Sequence, residues 1–263
     1  MSVFEAVVLG IVQGLTEFLP VSSSGHLVLL QKVFGINEPG LFFDTMLHFG
    51  TLIAVFAALW KDIWALLRKP FQKLTAFLIL GTIPAVIAAL VFNKKIETIF
   101  ETAQFLGFCF LITTVLLITA ELLSRQAVKK QTMNWFAALF IGLMQAIAIP
   151  PGISRSGAAI SGALFCKLNR DFAARFAFLL AIPAILGAVV LHSKDLVTGK
   201  IAPESINVVA VIAGTVTAAI VGFFAVKFML KIIREKSLFG FAIYTGLLGI
   251  LVLLDQFVTR VVF

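Results

Sequence analysis

Two short stretches of the chain bring together side chains that could do chemistry. The first reads Gln13-Gly14-Leu15-Thr16-Glu17-Phe18-Leu19-Pro20-Val21-Ser22-Ser23-Ser24-Gly25-His26, and the second Pro150-Pro151-Gly152-Ile153-Ser154-Arg155-Ser156-Gly157. Both run in the same order: a helix breaker, serines able to cap a helix, and a helix start whose first backbone N–H groups are free. Glu17 supplies a carboxylate, and Gln13, four residues earlier, shares its helical face. Arg155 supplies a cation. Two positive helix ends, a guanidinium with forked donors and a ring of hydroxyls make a site suited to phosphate oxygens. Glu17 and Gln13 add oxygen ligands which, with phosphate, could hold a hard divalent cation, Mg²⁺ or Ca²⁺.

Ser23 and His26 are three apart, so on a helix starting at the serine cap they lie on neighbouring turns of one face, as a nucleophile and its base would. Ser22 and Ser24 point away by about 100° each, which suits them to capping or to holding phosphate oxygens. Ser154 and Ser156 stand in the same relation to the second bend. His26 could activate Ser23 or a water, and the alternative for Arg155 is a structural pair that neutralises Glu17. Asp44 and His48, four apart, read either as an interfacial pair or as further site residues, and Glu121, near a segment end, as solvated.

These groups sit in a chain that is 60% hydrophobic and 13% charged, against about 45–50% and about 25% for a soluble domain. That composition excludes a soluble fold, a disordered chain and a disulfide scaffold, and predicts an all-α polytopic membrane protein. Ten apolar segments can be marked: 2–19, 22–34, 41–60, 74–92, 103–123, 133–149, 153–166, 172–191, 207–226 and 238–258. A helix needs about 20 residues at roughly 1.5 Å each to cross the hydrocarbon core. The segments 22–34 and 153–166 are too short. Each follows a segment ending in a breaker, so each pair reads as a re-entrant hairpin, leaving six transmembrane helices. Polar groups at such bends are costly unless partnered or functional.

The two bends also match one another. A shift of 132 places Gly10 on Gly142, Gln13 on Gln145, Ser22 on Ser154, Ser24 on Ser156 and Gly25 on Gly157, and a shift of 133 places GTIPAVI from Gly81 on GTVTAAI from Gly214. The chain therefore reads as a single membrane domain, 1–263, built of repeat 1 (about 1–130) and repeat 2 (about 131–263). Three crossings per repeat make the second run inverted relative to the first. The net charge of +8 does not describe a nucleic-acid groove: fourteen of the 21 Lys and Arg fall in the loops 61–73, 124–132, 167–175 and 227–237, all on the inner side if both termini face out. Trp60, Trp64 and Trp135 lie at that inner boundary as belt residues. Cys109 and Cys166, each alone, read as small core residues.

At these motifs the chain resembles the undecaprenyl-diphosphate phosphatase family, the bacitracin-resistance type of integral membrane phosphatase. QGLTEFLPVSSSGH matches that family's acidic and serine-rich motif and PGISRSGA most of its arginine motif, with FAFLLAIP (176–183) and FAIY (241–244) as weaker stretches. The resemblance covers essentially the whole length. It implies hydrolysis of undecaprenyl diphosphate to undecaprenyl phosphate and inorganic phosphate, recycling the lipid carrier of cell-wall synthesis in the bacterial cytoplasmic membrane, with the site opening outward. By motif position it assigns Gln13 and Glu17 to a divalent metal, Ser23 and His26 to the catalytic bend, and Arg155 to the diphosphate. The arginine motif commonly ends in Thr where Ala159 stands, and FAIY is commonly followed by Arg where Thr245 stands. The expected partners are the polyprenyl diphosphate and the membrane, with no nucleic acid; assembly as a homodimer is left open. The rival reading is a transporter or flippase of an anionic lipid or small phosphate, since inverted repeats with broken helices are transporter architecture.

Overall fold

The computed structural model describes residues 1–36, 41–126, 132–197 and 207–263. Helix α1 (Val3–Phe18) opens on a capping box: Ser2 Oγ accepts from the Glu5 N–H, and the Glu5 carboxylate accepts from the Ser2 N–H. It ends where Pro20 drives Leu19 into extended backbone. After α2 (Ser23–Val33) comes α3 (Leu41–Ala58), which bends by 78° into α4 (Trp60–Arg68). Then follow α5 (Lys73–Thr102), α6 (Leu106–Gln126), α7 (Trp135–Ile147), α8 (Arg155–Phe165), α9 (Arg170–Val197), α10 (Val208–Glu235) and α11 (Phe239–Leu254). A π-helical turn, Asp255–Thr259, closes the chain. No strand occurs among the described residues.

Helices α5, α6, α9 and α10, and α11 together with the π-helical turn that continues it (Phe239–Thr259), are each long and apolar enough to cross a membrane, and α3 with α4 makes a bent sixth candidate. This is a multi-pass membrane protein. The 16-, 11-, 13- and 11-residue helices α1, α2, α7 and α8 reach only about 16–24 Å at 1.5 Å per residue, short of a core of roughly 30 Å.

Two expectations about the inner segments need correction. Residues 61–73 were expected as a loop, but Trp60–Arg68 is helical. Trp60, Ile63, Trp64 and Leu67 recur at helical spacing; Ile63 is buried, while Trp60 and Trp64 stack at 5.5 Å and remain exposed, as on a helix lying in an interface. Lys227, Lys231 and Arg234 were placed in a loop but belong to α10, where basic residues suit the negative helix end. Lys129 and Lys130 lie outside the described residues.

Glu121 is another correction. It is buried, 2% exposed, because the C-terminal ends of α6 and α10 and the start of α9 meet around it. Its Oε2 accepts from Arg170 Nη2 at 2.5 Å and from the Leu238 N–H at 3.0 Å, and Arg170 also donates to Ser124 Oγ and the Lys236 carbonyl. Beside it Arg175 pairs with Asp62 and Asp171, and Arg234 with Asp171, so α4, α9 and α10 are tied together. Cys109 is buried and Cys166 half-buried, and both are free thiols.

Close backbone approach holds the short helices in place. Gly10 of α1 lies against the Gly214 carbonyl of α10, and Gly142 of α7 against the Gly81 carbonyl of α5. A Cβ on Gly142 would fall inside the van der Waals envelope of that carbonyl oxygen, a backbone atom that cannot swing away. Gly142→Ala is therefore expected to destabilise by about 1–3 kcal/mol. Thermal unfolding in detergent should show the loss, with Gly187→Ala, where a Cβ meets nothing within 4 Å, as the silent control.

Candidate active site

The first bend is held by Ser22, which adopts a left-handed backbone, φ 71°. Its Oγ caps α2 by accepting from the Gly25 N–H at 3.3 Å, and also accepts from the Gly152 N–H of the second bend at 3.1 Å. The Ser22 carbonyl accepts from His26 Nδ1 at 2.7 Å. The second bend turns at Gly152, whose φ of 95° only glycine adopts without strain. Ser154 Oγ caps α8 by accepting from the Gly157 N–H at 3.0 Å, and Ser156 Oγ reaches back to the Leu19 carbonyl at 3.1 Å. The bends are thus stitched in both directions, and the starts of α2 and α8 face one cavity.

That cavity, about 40 Å³, is lined by Glu17, Ser22, Ser23, Ser24, His48, Ser154 and Arg155 with Ala148, Ile149 and Ile153. Glu17 is its anionic wall. Glu17 Oε2 accepts from Ser23 Oγ in a short contact and from Gln13 Nε2 at 3.0 Å, with His48 Nδ1 at 3.2 Å. Glu17 Oε1 faces Arg155 Nη1 at 3.7 Å, too long for a hydrogen bond. Arg155 Nη1 and Gln13 Oε1 are buried without hydrogen-bond partners. Buried polar atoms left unpaired are costly.

Of the residues expected at the site, Glu17, Ser22, Ser23, Ser24, Ser154 and Arg155 line the cavity, and Gln13 stands behind Glu17. Ser156 does not line it, being turned to Leu19. His26 does not line it either: its Nε2 meets the Tyr244 hydroxyl at 2.7 Å, in a ring plane nearly parallel to that of Tyr244. Asp44 accepts from Gln31 Nε2 at 2.8 Å, whereas His48, one turn later, reaches the cavity. Gln145 is buried, with neither amide atom paired. Ala159 is packed in the main core, and Thr245 bonds Thr114 Oγ1 at 2.8 Å between α11 and α6.

Two participants went unassigned in the sequence. Thr113 Oγ1 bridges the second bend, donating to the Gly152 carbonyl and accepting from the Ser154 N–H, both at 2.9 Å; a lone threonine in an apolar helix gives no signal of this. Tyr244, the chain's one tyrosine, had a signal in its rarity and in FAIY.

Comparison with known proteins agrees with the motifs. Residues 6–251 match the family described as "Bacitracin resistance protein BacA". A Bacillus cereus protein named undecaprenyl-diphosphatase 3 is 47% identical over 257 residues, covering 98% of each chain. Undecaprenyl-diphosphatases of Carboxydothermus hydrogenoformans and Halothermothrix orenii are 44% and 40% identical over 256 residues, each covering 97% of this chain and 98% of their own. With a match that spans nearly the whole chain and includes both serine-capped bends, this protein belongs to the bacitracin resistance protein BacA family.

Proposed function

We propose that this protein hydrolyses undecaprenyl diphosphate to undecaprenyl phosphate and inorganic phosphate. The observation that carries the reading is the Ser23 hydroxyl on Glu17 Oε2, opposite an Arg155 Nη1 that makes no hydrogen bond, in one cavity between two helix starts. A pure transporter needs the anion site but not a hydroxyl held by a carboxylate. Phosphate release from undecaprenyl diphosphate by purified protein in detergent tests it. One phosphate per lipid is expected; movement of the lipid across vesicles without release would favour the transporter.

In this reading the diphosphate enters between the starts of α2 and α8, whose free N–H groups and the Arg155 guanidinium bind its oxygens. Ser23 Oγ attacks the terminal phosphorus as its proton passes to the Glu17 carboxylate; the bridging P–O bond breaks and the prenyl phosphate leaves. Glu17 passes that proton to the departing prenyl phosphate; water then attacks the phosphoserine phosphorus. Glu17 takes the water's proton and returns it to Ser23 Oγ as the Ser–O–P bond breaks and inorganic phosphate leaves. Direct attack by water on the diphosphate is the competing route. His26, held at both ring nitrogens by Ser22 and Tyr244, fixes the bend rather than taking the proton.

Glu17 and the unpaired Gln13 Oε1 are hard oxygen donors fit to hold Mg²⁺ or Ca²⁺ beside a diphosphate. When bound, such an ion neutralises phosphate charge and polarises the phosphorus. Glu17→Gln should raise the metal concentration for half-activation by about tenfold or more, with lipid binding within about twofold. Activity that survives exhaustive chelation would remove the metal from the mechanism.

The architecture supported is an inverted repeat of re-entrant pairs α1–α2 and α7–α8, with three crossings in each half. Its support is reciprocal packing: the Gly10–Gly214 contact of α1 with α10 has its counterpart in the Gly142–Gly81 contact of α7 with α5. We place the chain in the bacterial cytoplasmic membrane with the cavity opening outward, because the basic segments then lie inside. In intact cells, single cysteines at 37 and 198 should react with an impermeant thiol reagent and those at 69 and 129 should not. Positions 37, 129 and 198 lie outside the described residues. The reverse pattern would turn the site to the other face.

A further inference from the structure

His48 is absorbed by neither the serine chemistry nor the arginine contact, yet it enters the cavity from α3, a helix outside both bends. Its Nδ1 lies 2.9 Å from Gln13 Nε2 and 3.2 Å from Glu17 Oε2, and those two atoms are 3.0 Å apart. Resting on the metal-dependent hydrolase reading above, we infer that His48 is a third protein ligand of the metal and that its imidazole directs the site toward Mn²⁺ over Ca²⁺.

Three observations carry this. First, the triangle has the size of one face of a coordination octahedron. Ligands at roughly 2.0–2.1 Å from a small dication sit about 3.0 Å apart along an octahedral edge, whereas ligands of Ca²⁺ at about 2.3–2.6 Å spread to roughly 3.3–3.7 Å.

Second, the hydrogen bonding inside the triangle is incomplete in a way a cation would complete. His48 Nδ1 can donate to Glu17 or accept from Gln13, but not both. Gln13 is fully buried and presents its amide nitrogen to the triangle, while Oε1 has no partner. Exchanging the two ends of that amide by a half-turn would set Oε1 at the corner, beside the Glu17 carboxylate oxygen and His48 Nδ1.

Third, the donor set is mixed. Among the described residues no group of three His, Cys, Asp or Glu side chains could hold a metal, and the third corner here is an amide. Carboxylate, amide and phosphate oxygens suit Mg²⁺, Ca²⁺ and Mn²⁺, and one imidazole shifts the balance to the transition metal. His48 belongs to the cavity wall that also carries Ser23 and Arg155, so the ion would meet the diphosphate there.

Spectroscopy on wild-type protein in detergent, with Mn²⁺ alone and no lipid, tests the assignment. Bound Mn²⁺ is expected to show electron spin-echo modulation from ¹⁴N, replaced by ¹⁵N modulation when the histidines are ¹⁵N-labelled. His48→Gln should lose that modulation and bind Mn²⁺ about tenfold or more weakly, with Mg²⁺ affinity, read by competition, changed far less. Bound Mn²⁺ without histidine modulation in the wild type would overturn the inference, and needs no variant to fold. Failure of the hydrolase reading would look different: histidine-ligated Mn²⁺ with no phosphate released from the lipid, an outcome that leaves His48 as a ligand.

Discussion

Arg155→Lys is expected to lower kcat for phosphate release by about 10²-fold or more while leaving the protein folded. Arg155 Nη1 is buried, has no hydrogen-bond partner and stands 3.7 Å from Glu17 Oε1. A guanidinium whose task was to neutralise that carboxylate would close to roughly 2.8 Å and donate through both arms. Instead it is held at a distance that leaves its forked donors available, as the first residue of α8, where the positive helix end adds to its charge. Lysine keeps the charge but replaces a planar fork with a single ammonium, so the two oxygens of a transferring phosphoryl group can no longer be gripped together. The loss should fall on kcat and on kcat/KM alike, because the contact strengthens as charge develops. Thermal unfolding within about 2 °C of wild type would show that the change lies in chemistry. Near-normal turnover in Arg155→Lys would return Arg155 to the role of counter-ion for Glu17.

What could be read from the chain follows the range of the forces involved. The starts of α2 at Ser23 and α8 at Arg155 fall where the serine caps put them, because capping is settled within three residues by a side chain and a nearby N–H. The apolar runs of α5, α6, α9, α10 and α11 are legible for a similar reason, since crossing a membrane is a matter of length and composition. Helix ends beyond the apolar stretch were not: α10 continues to Glu235 through basic residues that composition assigns to a loop. Contacts between distant segments were also hidden. Ser23 and His26 share a helical face, yet His26 turns to Tyr244, 218 residues away, and the carboxylate on Ser23 comes from the preceding helix. Glu121 looks solvated until α9 brings Arg170 against it. His48 could be singled out by its polarity, but that it meets Gln13 and Glu17 depends on α3 packing beside α1.

In the proposed mechanism Ser23 is the attacking group, and its hydrogen-bond partner sets it apart from its neighbours. Ser22 Oγ already accepts two backbone N–H groups, Ser154 Oγ caps α8, Ser156 Oγ donates to the Leu19 carbonyl, and Ser24 Oγ meets only Ser22 Oγ at 3.4 Å. Ser23 Oγ alone among them donates to a carboxylate, and it does so inside the cavity that Arg155 overlooks. A hydroxyl paired with a base in this way is an activated nucleophile. Ser23→Ala should therefore lower kcat by about 10³-fold or more, equivalent to roughly 4 kcal/mol of barrier. Rapid quenching of the wild type with undecaprenyl diphosphate labelled at its terminal phosphate should leave label on Ser23, and Glu17→Gln should reduce the rate at which that label appears. If water attacks directly, Glu17 still takes a proton but Ser23 serves only as a phosphate ligand. The quench would then find no labelled protein even when chemistry outpaces release, and Ser23→Ala would keep activity within about tenfold of wild type, the size expected for the loss of one neutral hydrogen bond to the phosphate.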